Sequence, residues 1–152
     1  MKATALLRLI SRAFWARVAL CALWLHGAWE AVQCALFYDM SGTSVASGLI
    51  FMAIATLVDV ILTLFLVFLA LRLSHASAES PSFGAFPWLI GLGALIAVAI
   101  ELLAQTGGWW HYSGAMPTLS VLGVPIGVLP LLQMAIVPPI CLLFASKRRR
   151  FR

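Results

Sequence analysis

Three of the five acidic residues in this chain, Glu30, Asp59 and Glu101, sit inside long apolar runs. An ionisable group at the centre of a bilayer costs ~2.5–3.5 kcal/mol on insertion scales, and one leucine returns only ~0.3–0.6 kcal/mol. Their neighbours are spaced for helices. Ala22, His26, Glu30 and Cys34 recur at intervals of four with Gln33 beside them, so they share one helical face. Ala55, Thr56, Asp59 and Thr63 make a second stripe, and Gly93, Ala97, Glu101 and Gln105 a third. A fourth apolar run offers Gln133, between Pro130 and the Pro138–Pro139 pair. Small residues in each stripe let helices approach closely, and polar ones can then hydrogen-bond across the seam.

A carboxyl group in such a place can deliver or take up a proton, or carry one along a path. Glu101, Asp59 and Glu30 are therefore the candidate acid/base groups. His26, Gln33, Gln105 and Gln133 are candidate substrate-binding groups, together with Trp109, Trp110, His111 and Tyr112 from the loop after the third run. That loop is either an aromatic belt at an interface or a lid over the polar zone. The competing expectation for the acids is structural. Protonated carboxyls hydrogen-bonded to Gln33, Gln105 and Gln133 would lock four helices in register, as in a non-catalytic accessory subunit.

Other chemistries find no pattern. His26, Glu30 and His111 are of metal-ligating types, but no HExxH or paired-cysteine spacing supports a site. No GxSxG or Ser–Lys arrangement points to nucleophilic hydrolysis, and Gly91 and Gly93 lie in an apolar run rather than a phosphate loop. Neither a metal nor a cofactor is expected. Cys21, Cys34 and Cys141 read as small buried hydrophobes, since an odd count in apolar runs is not a disulfide framework.

The elements that must position these groups follow from composition. The chain has 152 residues, 63% hydrophobic and only 10% charged. A soluble domain averages about 25% charged residues, and a globule this small cannot hide so much apolar surface. Apolar runs long enough to cross ~30 Å of hydrocarbon occur at about 18–38, 48–71, 86–106 and 124–145. Spans without water must satisfy their own backbone, so they are helices. The fold expected is all-α: a polytopic membrane protein with a four-helix bundle over residues 18–145. A basic interfacial segment, 1–17, precedes it, and a basic tail, 146–152, follows.

Charge sets the orientation. All ten Lys and Arg lie before the first span, at Arg72, or at 147–152, and the loops 39–47 and 107–123 hold none. Both termini are then cytoplasmic, in a multi-pass inner-membrane arrangement. The terminal KRRRFR cluster fits anionic lipid better than nucleic acid, at ~1 kcal/mol per basic residue. Counting ~1.5 Å per residue from the outer boundary puts Glu101 about 8 Å deep, Glu30 and Gln133 about 12 Å and Asp59 about 16 Å. One polar zone in the outer half results, opening to the extracytoplasmic side. Each proline leaves the carbonyl four residues earlier without its helical donor, here Ile126, Met134 and Ala135. The partners this pattern allows are the bilayer, a lipophilic ligand, a second copy of the chain or a larger membrane complex.

The stretch Glu101, Gly108-Trp109-Trp110-His111-Tyr112, Gly123-Val124-Pro125 and Leu129-Pro130-Leu131-Leu132-Gln133 resembles the helix–loop–helix of lycopene-cyclase-type membrane domains. Those domains carry an acidic residue, a Gly-Trp-aromatic turn and a Pro-Leu-Glu-Glu motif. The likeness covers about residues 98–139 and implies a lipophilic, isoprenoid-like substrate. Leu132-Gln133 stands where that family has two glutamates, so chemistry that depends on the pair is not implied. The whole pattern is also similar to small uncharacterised four-span bacterial membrane proteins, which brings no activity with it.

Overall fold

A computed structural model describes residues 12–76 and 83–146 of the chain. Most of the expected basic segment (1–11), part of the second connection (77–82) and the tail from Lys147 lie outside the described residues. Four helices form: α1 (Arg12–Phe37), α2 (Val45–Leu73), α3 (Ala85–Gly107) and α4 (Val128–Ser146). Each is long and apolar enough to cross a membrane. The first begins earlier than the apolar run, because residues 12–17 are continuous with the same helix.

The helix ends have local causes. Ser44 caps α2 by accepting the Ser47 N–H at 3.1 Å. After α3 the chain turns left-handed at Gly108 (φ 64°), a conformation that favours glycine, and two bonds close the end. Trp109 N–H donates to the Ala104 carbonyl and Gly108 N–H to Gln105, which satisfies two carbonyls that have run out of helical donors.

The helices run alternately up and down. Helix α1 packs on α2 and α4, and α3 packs on α4, while the α2–α3 seam is thinner. At the end formed by the start of α1 and the end of α4, the interior is an apolar cluster, with Arg17 Nε as a buried polar atom there. Val18 and Ala22 meet Leu66, Ala70 and Leu71, Ala85 and Leu89, and Cys141, Leu142 and Ala145, all buried. The alanines bring backbones close, and the larger side chains fill what remains. The three cysteines are free thiols; Cys34 and Cys141 are buried, while Cys21 is half-buried.

Gly93 shows how closely α3 and α4 approach. A Cβ there would stand 2.1 Å from the Met134 carbonyl oxygen, which no side chain could occupy. Met134 lies four residues before Pro138, so its carbonyl has lost a helical donor. The Cα hydrogen of Gly93 points at that oxygen and offers it a weak bond of the kind found between packed helices. Helix α4 continues through Pro138 and Pro139 without interruption.

The third connection differs from the sequence expectation. The fourth helix begins at Val128, and residues before it form an antiparallel hairpin, β1 (Thr118–Val121) with β2 (Val124–Gly127). Leu122 and Gly123 turn the chain, both with positive φ (53° and 80°), as a two-residue hairpin turn requires. Pro130 therefore falls in the first turn of α4, where a missing N–H costs nothing. Ile126, expected to have a helical carbonyl freed by Pro130, is instead paired across the hairpin with Leu119.

Candidate functional site

The other end of the bundle, where the hairpin sits, holds the polar residues. The connection is sewn to α1. Asp39 N–H donates to the His111 carbonyl at 2.9 Å, Ser113 N–H to Phe37 at 2.9 Å, and the Ser113 hydroxyl to Leu36 at 3.0 Å. The two from Ser113 serve carbonyls at the C-terminus of α1, and the set fixes Tyr38 opposite Tyr112.

Gln133 of α4 is the hub of the buried polar cluster. Its Nε2 lies 2.9 Å from His26 Nδ1, 3.0 Å from Glu30 Oε1 and 2.9 Å from Asp59 Oδ2. Three helices, α1, α2 and α4, are thus joined at one atom. An amide nitrogen has two hydrogens, so three acceptors compete for two donors. In the tautomer whose Nδ1 accepts from the amide, His26 donates its Nε2–H to Thr63 Oγ1 at 2.9 Å. Cys34 Sγ donates to the other oxygen of Glu30 at 3.9 Å, and a further proton on a carboxyl, or between Asp59 Oδ2 and His26 Nδ1 at 3.5 Å, relieves the competition at Gln133.

Glu101 of α3 has a different setting. Tyr112 donates its hydroxyl hydrogen to Glu101 Oε2 and accepts the Gly127 N–H at 2.8 Å. A Cβ on Gly127 would crowd the Tyr112 ring at 3.3 Å, so glycine there admits the phenol. Burial first, then the bond to Glu101, hold the Tyr112 phenol well above its ordinary pKa, and it remains a donor. Gln33 accepts from Trp29 Nε1 at 2.8 Å and donates to the Tyr38 hydroxyl at 3.2 Å.

A cavity of about 300 Å³ lies between these groups. Glu30, Asp59, Glu101, Gln33 and Gln133 line it, with Tyr38, Phe51, Trp109 and Trp110 at the hairpin end and Ala97, Ile100, Pro130 and Met134 on the helix walls. Ile54 and Val58 of α2 line it too, and they are 57% and 45% exposed. The cavity thus has exposed side chains on its α2 wall beside the thin α2–α3 seam, and at the hairpin end Trp109 is 63% exposed. No Lys or Arg is among the lining residues. Trp110 contributes a buried indole N–H that has no hydrogen-bond partner among the described residues.

The site residues expected from sequence divide as follows. The three acids, Gln33, Gln133, Trp109 and Trp110 line the cavity. His26 stands behind its wall, fully buried and bonded to Gln133. Tyr112 reaches Glu101 from the side. Gln105 and His111 stand apart: Gln105 donates at 3.5 Å to the Trp110 carbonyl, and the His111 side chain is exposed. Of the three glutamines expected to bond the acids, only Gln133 does so. Thr63, part of the second stripe, proves to be the partner of His26. Phe51, Ile54 and Val58 carry no sequence signal beyond being apolar. Among the described residues, no group of three His, Cys, Asp or Glu side chains is disposed to hold a metal ion.

No family model, no curated protein and no solved structure matches the chain.

Proposed function

We propose that this chain is a multi-pass membrane protein whose bundle receives a lipophilic molecule sideways from the bilayer and holds its polar end among Glu30, Asp59, Glu101 and Gln133. The observation that carries the reading is the cavity itself. One end is lined by acids from three helices, and its mouth lies between exposed apolar side chains of α2. A mouth facing lipid admits an apolar tail without exposing it to water. The charge pattern supports cytoplasmic termini in an inner membrane, with the cavity in the outer half and the basic tail on anionic lipid.

The acids can serve conversion as well as binding. Glu101, bonded by a phenol, and the Glu30–Asp59 pair, short of one hydrogen, are two carboxyl sites in unlike settings. Such unlike pairs divide acid and base roles between them. A lipophilic, isoprenoid-like substrate suits both the resemblance and the apolar walls. Proton or cation transport is the second reading, but the apolar packing from Val18 to Leu142 offers ions no polar route onward. A purely scaffolding role draws support from the Gln133 hub, though scaffolding alone gives no reason for an open cavity.

The test is extraction of gently purified protein followed by mass spectrometry of its lipids, comparing the parent with Val58→Trp. Val58 lines the cavity next to Asp59 and is 45% exposed, so a larger side chain there fills the entry without removing a hydrogen-bonding group of the hub. A molecule enriched over bulk lipid in the parent and lost in Val58→Trp supports the reading. An identical lipid profile from both proteins contradicts it.

A further inference from the structure

The cavity holds more acid than nearby base: three carboxyl groups face it, and His26, 3.5 Å from Asp59, can match at most one of them. Glu30 of α1, Asp59 of α2 and Glu101 of α3 all face it, and no Lys or Arg lines it. Helix α1 also contributes His26 and Gln33, α4 contributes neutral Gln133, and the connections contribute the phenols of Tyr38 and Tyr112. Among the described residues His26 is the one ionisable nitrogen near the cluster; it is bonded to Thr63 and Gln133 and stands 3.5 Å from Asp59, which leaves Glu30 and Glu101 without a partner charge. Buried carboxylates need a partner charge, so each acid holds either a proton or an external cation.

The rings at the hairpin end favour the second alternative. Tyr38, Phe51 and Trp109 stand with their centroids 6.0, 6.2 and 6.3 Å from that of Trp110, at interplanar angles of 86°, 72° and 68°. Four aromatic side chains, three of them set steeply against the fourth, thus share the wall with three acids. Electron-rich rings beside carboxylates are the surroundings that bind an organic ammonium, which gains from both and loses little hydration.

We infer that the cavity takes the head of an amphiphilic organic cation, a lipophilic ammonium whose tail leaves through the α2–α3 seam, and that binding displaces a proton from the acid cluster. The inference rests on the lateral cavity proposed above and names its ligand class. No bond is made or broken except that of the displaced proton, which passes to solvent as the cation takes its place. A neutral head such as an alcohol would leave the acids protonated and release nothing.

The full chain in zwitterionic lipid nanodiscs is titrated calorimetrically with decyltrimethylammonium, whose charge does not change with pH, and with decanol as the uncharged probe. Empty nanodiscs provide the baseline. Saturable binding of the ammonium is expected, tightening by up to about tenfold per pH unit for each proton displaced. Asp59→Asn should weaken binding and flatten that slope, and Val58→Trp should abolish it while leaving the acids in place. Decanol bound as tightly as the ammonium, or an ammonium affinity that ignores pH, overturns the ammonium inference and spares the cavity if Val58→Trp still abolishes binding. No binding of either probe above empty nanodiscs overturns both.

Discussion

The two ends of the bundle solve opposite problems with the same four helices. At the end holding Val18, Leu66, Leu89 and Leu142, a continuous apolar cluster interlocks, with Arg17 Nε as a buried polar atom there. At the hairpin end a smaller apolar cluster around Cys34, Tyr38 and Met116 adjoins a hollow lined by acids, and the helices are held by hydrogen bonds through Gln133 and by the connection bound to the end of α1. Close packing needs no directional partners and tolerates no hole. A cavity gives up that packing, so its walls must be fixed by something else. The polar hub and the sewn connection supply it, and the apolar end supplies the stiffness from which the cavity can open.

Two substitutions separate the ends. Gln133→Leu removes both N–H donors from beneath His26, Glu30 and Asp59 and leaves buried acids unpaired. It should cost on the order of 3–5 kcal/mol in unfolding experiments in mixed micelles, and abolish ligand retention with it. Leu66→Ala, at the apolar end, should cost roughly 2–4 kcal/mol by opening a hole. It should leave ligand retention unchanged. Equal effects of the two on retention would break the contrast between the ends.

Tyr112→Phe sharpens the comparison within the polar end. It strips Glu101 of its phenol donor and strands the Gly127 N–H, but touches neither Gln133 nor its partners. A loss of about 1–3 kcal/mol is expected, smaller than for the hub. Unfolding midpoints in the same micelles measure it. A loss as large as that of Gln133→Leu would mean that Glu101 belongs to the hub and is not a separate site.

Much of this was legible in the residues. Apolar length gave the four helices, with ends near those observed, and spacing of four brought His26 and Glu30 onto the face that meets Asp59 and Gln133. Their acids meet because the helices alternate in direction and each carries its polar group at a similar distance from the hairpin end. The hairpin was not legible, because Val124-Pro125-Ile126 continues an apolar run into α4 and proline argues against a strand. In a two-stranded ribbon every strand is an edge, and Pro125 finds its place there. The direction of the mouth was hidden as well. Ile54 and Val58 look like any other apolar residues of the run, and only the thinness of the α2–α3 seam brings them to the cavity; the proposed entry rests on that.

The central claim is that acids from separate helices share one set of donors. A double-mutant cycle of Glu30→Gln and Asp59→Asn, read by unfolding in mixed micelles, tests it most directly. Both groups draw on the same Gln133 amide, so the combined change should differ from the sum of the single changes by at least about 0.5 kcal/mol. Additivity within about 0.3 kcal/mol would mean that the two carboxyls do not meet, and the cluster described here would not exist.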